Sequence, residues 1–166
     1  MKNNCEALID LVHSKLSFLL KEEGFQIIEQ RSDRSDYCLV FLESDIFRIK
    51  CYLGPDYVDL QFGTLAAPLS WEDKTDGITQ WYSLGILDTY FRSDTNVQIL
   101  TEEEWRRHTI DIQFQNIVKL INQHYPMIKE MFGKDDSIQN KEELDNHIRI
   151  RQEEARQQFE ILERKS

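Results

Sequence analysis

Glycine and proline are scarce, 6 and 3 in 166 residues, which argues against long irregular or low-complexity architecture. No run of about 18 apolar residues occurs, so no membrane-spanning helix is expected. The N-terminal Met-Lys-Asn-Asn-Cys-Glu meets charge too early for a secretory signal, and the cytoplasm is the expected location. Cysteine is limited to Cys5, Cys38 and Cys51, an odd number without metal-ligand spacing. Standard motifs are absent: no Gly-rich phosphate loop, no Gly-x-Ser-x-Gly, no His-Glu-x-x-His, no Cys-x-x-Cys and no calcium loop. Positive charge is also short. Twenty Lys and Arg face thirty Asp and Glu, a net charge of −10. That argues against nonspecific nucleic-acid binding, which needs cations to neutralise phosphates, and it favours encounter with a basic partner.

What is present is a dense apolar block, Tyr37–Phe62, that reads as three antiparallel strands. A first turn centred on Ser44-Asp45 opposes Leu42 with Phe47, Val40 with Ile49 and Cys38 with Cys51, all apolar. A second turn centred on Pro55-Asp56 opposes Leu53 with Val58, Cys51 with Leu60 and Ile49 with Phe62, so the apolar face continues. Neither turn has the Asn-Gly form that two-residue hairpins prefer, so a bulge can move a register. The opposite face is mixed and carries Tyr37, Phe41, Arg48, Lys50, Tyr52 and Asp59. Cys38 facing Cys51 permits a cross-strand disulfide, but two reduced, buried thiols are expected in a cytosolic chain.

Around this block the pattern turns helical. Leu8, Leu11, Val12, Leu16, Leu19 and Leu20 recur at helical steps over 6–23, and Gly24 is the expected stop. A short strand over 25–31 and a polar loop over 31–36 follow. Gly63–Gly77 is the one long irregular stretch, of a length that is often functional. A short helix is expected over 82–91. Thr101 and Glu104 form a capping box opening a strong helix. Pro126 should kink or split that helix, leaving a second piece at Met127–Phe132. From Lys134 on, the composition shifts to seven Lys and Arg and nine Asp and Glu. Asn140 and Glu143 look like a second cap, and Leu144, Ile148, Ala155, Phe159 and Leu162 form a thin stripe that needs a surface to lie on. The expected architecture is α+β: a four-stranded antiparallel meander with an N-terminal helix and C-terminal helices packed on it. Residues 1–133 form the globular domain and 134–166 a charged helical extension.

For metal or acid–base chemistry the best candidate is Glu104, His108 and Asp111, which steps of four and three place on one face of a single helix. The bland alternative, a dipole-stabilising glutamate on a solvated face, is favoured, and no cofactor is called for. Asp33 and Asp36, interleaved with Arg31 and Arg34, read as a solvated turn. Tyr and Arg on the mixed sheet face are the types enriched at interaction hot spots, so a partner-binding surface is placed at Tyr37, Phe41, Arg48, Lys50, Tyr52 and Asp59. At least partial cover of that face by the long C-terminal helices is expected over open exposure, which would make Arg48 and Lys50 ordinary snorkelling residues.

At Gly24-Phe25, Leu39–Asp45, Ile46–Tyr52 and Trp81-Tyr82-Ser83-Leu84 the chain resembles small bacterial proteins built from an N-terminal helix, a meander and a Trp-containing helix. Immunity proteins of toxin systems are among them. The resemblance covers roughly residues 8–91, is architectural, and carries over no catalytic residue. It implies a single-domain binder that neutralises a toxin. The resulting expectation is a non-enzymatic cytoplasmic protein with a protein partner, a basic toxin domain. The alternative is an accessory subunit of a defence or secretion system that self-associates through 140–165; a metal-dependent enzyme comes third.

Overall fold

The computed structural model describes residues 4–34, 36–92, 102–133 and 137–163. Its centre is an antiparallel sheet built from β1 (Gln26–Arg34), β2 (Tyr37–Glu43), β3 (Phe47–Leu53), β4 (Val58–Thr64) and β7 (Tyr82–Ser83), in the order β1-β2-β3-β4-β7. The expected four strands are thus joined by a short fifth. β5 (Lys74–Thr75) and β6 (Ile78–Thr79) form a separate two-stranded ribbon. The fold is α+β, as expected.

The second hairpin pairs as the turn chemistry predicts, with Leu53 opposite Val58, Tyr52 opposite Asp59 and Lys50 opposite Gln61. The first is displaced by two residues: Leu42 opposes Ile49, Val40 opposes Cys51 and Cys38 opposes Leu53. Ser44 is the reason. Its amide donates to the Phe47 carbonyl (3.1 Å), and its hydroxyl accepts from the amides of Ile46 (3.1 Å) and Phe47 (3.3 Å). The turn therefore takes up more chain than a two-residue loop. Because two residues are one full side-chain period, the two faces keep their expected membership.

The expectation of reduced cysteines is overturned. Cys38 no longer faces Cys51; it is bonded to Cys5 in the first turn of α1 (Asn4–Lys15). Cys51 remains a buried free thiol. Beside this link, Asn4 Nδ2 donates to the Asp36 carbonyl at 2.7 Å.

The helices differ from expectation in their breaks. The N-terminal helix pauses at Leu16 and resumes as α2 (Ser17–Lys21). Gly24, at φ +74°, ends it as predicted, and the Phe25 amide reaches back to the Leu19 carbonyl. α3 (Leu84–Arg92) starts after β7, with the Ser83 hydroxyl accepting from the Ile86 amide. The expected long helix from residue 101 is two helices, α4 (Glu102–Arg106) and α5 (Ile110–Gly133). Thr101 lies outside the described residues. The cap in view is Thr109, whose hydroxyl accepts from the Ile112 amide at 3.4 Å. Pro126 does not split α5. Tyr125, Ile128, Met131 and Phe132 all reach the core, and this packing on both sides of Pro126 outweighs the roughly 3 kcal/mol such a proline costs. α6 (Ser137–Glu163) begins before the supposed Asn140 cap; Asn140 Nδ2 donates instead to the Met131 carbonyl (3.0 Å) near the end of α5.

All these helices serve one face of the sheet. Leu8, Val12, Phe114, Ile117, Ile121 and Leu144 meet Val40, Leu42, Ile49 and Leu60 in the main core. Leu144 anchors the first part of α6 there, and Tyr82 Oη donates to Asp145 Oδ1 at 2.9 Å. The charged extension is therefore docked to the sheet layer over its first turns. The other face of the sheet belongs to a second, smaller cluster.

Candidate functional site under the 64–81 cover

The second cluster contains Leu39, Phe41, Ala67 and Trp81, with Tyr52, Leu69 and Trp71 packed around it. Leu39, Phe41 and Tyr52 come from β2 and β3. The other four come from residues 64–81, the irregular stretch that the sequence marks out. The mixed face is thus covered, but by this segment and not by the C-terminal helices, which is a correction to the expected cover.

The backbone of the cover explains its position. Ala67 N donates to the Thr64 carbonyl at 2.9 Å, turning the chain back as it leaves β4. Asp76 and Gly77 both take positive φ, 51° and 78°, the left-handed pair of a tight hairpin between β5 and β6. The Asp73 carbonyl accepts from the amides of Gln80 (2.8 Å) and Trp81 (3.2 Å) and closes the loop. Consecutive residues Trp81 and Tyr82 then point to opposite faces, one into each cluster. Gly63 is the close-approach point: a Cβ there would lie 2.7 Å from both the Ala67 Cβ and the Gln80 carbonyl oxygen.

Side chains of the sheet hold the cover from below. Arg48 donates from Nε to Glu43 Oε2 and from Nη1 to the Ala67 carbonyl, both at 2.6 Å. Lys50 is 2% exposed, while its ion-pair partner Asp73 is 48% exposed. The Lys50 ammonium also sits 5.1 Å from the Trp81 ring centroid and 3.5 Å from the Trp71 carbonyl. Gln61 Nε2 donates to the other Asp73 oxygen at 3.1 Å. Burial lowers the Lys50 pKa, with Asp73 opposing the effect. Burial pushes the Asp59 carboxyl up to about 7, reinforced by the Asp73 charge and opposed by the Leu60 amide, Gln61 and Lys50. Two polar atoms beneath the cover, Gln61 Oε1 and Trp71 Nε1, have no hydrogen-bond partner among the described residues.

At one end of this centre the aromatics reach the surface. Tyr52 is the hub: its ring centroid lies 6.1 Å from Tyr37, 6.0 Å from Tyr57 and 6.0 Å from Trp71. The four rings are half-buried. The Arg106 guanidinium stands 5.2 Å from the Tyr57 ring centroid and is ion-paired with Asp56. Gly54 leaves room beneath the first pair, where a Cβ would meet the Tyr52 hydroxyl at 3.1 Å. Buried Gln113 fixes the backbone behind Tyr57. It accepts from the Val58 amide (2.9 Å) and donates to the carbonyls of Asp56 (2.8 Å) and His108 (2.9 Å).

The six residues expected on the mixed face therefore divide. Phe41 and Lys50 are buried, Arg48 and Asp59 are partly covered, and Tyr37 and Tyr52 form part of the half-exposed cluster. Tyr57, Trp71 and Arg106 join them and were not expected there. The Asp76-Gly77 hairpin signal would have announced that residues 64–81 fold back; the contact of Arg106 with Tyr57 has no local signal.

Glu104, His108 and Asp111 do not share a helix. Glu104 lies on α4, Asp111 on α5, and His108 in the break, where its amide bonds to the Trp105 carbonyl three residues back (3.1 Å). Among the described residues no group of three or more His, Cys, Asp or Glu is placed to hold a metal. Of the paired carboxylates, the Asp33 side chain lies outside the described residues.

Two other histidines meet α3 instead. His124 Nε2 lies 2.6 Å from Asp88 Oδ1, which also accepts from Arg92 Nε at 2.6 Å, and His124 Nδ1 is buried without a partner among the described residues. The Thr89 hydroxyl donates to the Ile86 carbonyl, so it accepts from His147 Nε2 at 3.0 Å. These contacts tie α5 and α6 to α3.

The chain matches no protein-family model, no curated protein and no solved structure. Among the described residues, no helix is long and apolar enough to cross a membrane.

Proposed function

We propose that this chain is a protein-binding protein, an immunity-type inhibitor that neutralises a toxin, and that it docks through the half-exposed cluster of Tyr37, Tyr52, Tyr57, Trp71 and Arg106. The carrying observation is that cluster. Aromatic rings and an arginine are held in place by Gly54 and Gln113, so little side-chain freedom is lost on contact. The partner is a basic domain. The chain's charge of −10 draws it in, and Asp56, Glu72 and Asp73 expose carboxylates near the rings. The reading is non-enzymatic and places the protein in the cytoplasm. In that setting the Cys5–Cys38 bond would be shielded by burial, Cys5 being 6% and Cys38 0% exposed.

The test is co-expression with the product of the adjacent gene, scored by growth rescue and by affinity between the purified proteins. Tyr52→Ala and Trp71→Ala should each weaken binding about 30-fold or more, a hot-spot loss of about 2 kcal/mol or more. Raised salt should slow association. No rescue and no complex would overturn the reading.

Self-association through α6 is the second reading. It is favoured by Ile150, an exposed apolar residue beyond the docked turns.

A further inference from the structure

The sheet order leaves β1 at one end, and among the described residues no strand pairs with its outer edge. At nine residues β1 is the longest strand of the sheet. An edge of this kind is a template for another strand unless something blunts it. Two devices are present. Register irregularities fall between Ile27 and Glu29 and between Arg31 and Arg34, leaving Glu29-Gln30-Arg31 as the regular centre. That centre carries one charge of each sign, paired with each other and both reachable, with side-chain exposures of 31% for Glu29 and 39% for Arg31.

The order of these charges selects the occupant. In an antiparallel pair related by a two-fold axis through Gln30, residue Gln30 meets its own copy and each Glu29 stands directly opposite the other chain's Arg31. A strand of unrelated sequence would leave those charges unmatched against it, whereas a second copy supplies their complement twice. Glu29 and Arg31 oppose Phe41 and Leu39 of β2, so their side chains lie on the face of the second cluster, where the four charges form one alternating row.

We propose that two copies of this chain join edge to edge through β1, with Glu29 of each facing Arg31 of the other, to form one continuous ten-stranded sheet. The regular seam is short, so the dimer is a weak one that forms at high protein concentration. A two-fold axis normal to the sheet keeps the helices of both copies on one side. Both covers, with their aromatic clusters, then lie together on the other side. If those clusters bind partners as proposed above, the dimer presents two at once.

Sedimentation velocity of the full chain over a concentration series is the test. A concentration-dependent dimer is expected. Glu29→Arg and Arg31→Glu should each weaken it about tenfold or more, because each puts like charges opposite one another. The double swap E29R/R31E should restore it, because the complement is rebuilt in reverse. Circular dichroism and melting of each variant show that the monomer still folds. A chain that stays monomeric throughout the series overturns the proposal. So does a dimer that neither single reversal weakens, or one that the double swap fails to restore.

Discussion

At the scale of single residues, Asp59 is the most informative group. Its carboxyl lies beneath the cover with Lys50, Gln61 and Asp73 around it, and burial raises its pKa to about 7 from an ordinary value of 3.8. The folded chain therefore keeps a proton that the unfolded chain gives up at lower pH. The stability this contributes is whole below about pH 4 and is lost as pH rises through about 7. Asp59→Asn holds the neutral form at all pH. Its melting temperature, compared with the native protein's, should pull ahead between pH 4 and 7 and keep a constant lead above. A flat difference across that range would place Asp59 in water. The sequence puts Asp59 beside Tyr52 correctly, because the second hairpin follows its Pro55 turn. It does not show that Asp73, fourteen residues further on, returns to meet Lys50, since that closure is made by backbone bonds of the cover.

At the scale of elements, the cover over 64–81 depends on Gly63. The Ala67 Cβ and the Gln80 carbonyl would each stand 2.7 Å from an added methyl. Gly63→Ala should lift the cover and cost about 1–3 kcal/mol, the usual penalty of overpacking. Trp71 and Trp81 should then show red-shifted fluorescence and faster quenching by acrylamide, while the helical circular dichroism signal stays near native. An unchanged emission spectrum would mean that the segment adapts without moving. Element boundaries were legible where one local device sets them, as at Gly24. They were not where two devices compete. Thr109 starts a helix inside what period alone reads as one run, and packing around Pro126 keeps whole what the proline alone would divide. Ser44 moves a register by two, and the sheet keeps its faces because that shift preserves alternation.

At the scale of the whole molecule, the Cys5–Cys38 bond closes a loop with a sequence separation of 33 and ties the N-terminal helix to the second strand. On the chain-entropy account a loop of this length contributes about 3–4 kcal/mol. Cys5→Ser, or full reduction of the native protein, should lower the melting temperature by about 10 °C. Because Cys38 is wholly buried, reduction of the native form should proceed at the rate of opening. Equal melting with and without reductant would show that the two thiols are separate. Sequence reasoning put Cys38 and Cys51 on the core face but opposed them to each other on a register that Ser44 alters. It had no means to bring Cys5, on another element, to the same strand. The α+β class was legible because the apolar face of the meander is continuous under either register.

One sheet here separates two interiors of unequal size. Helices fill the larger. The smaller is closed by a single segment whose inner residues are held by a few charges and two tryptophans. Substitutions at the exposed ribbon tip leave the larger interior untouched, so the helical layer continues to carry the fold. A chain arranged this way can vary the exposed positions of residues 65–78 with no need to redesign the helix-packed core.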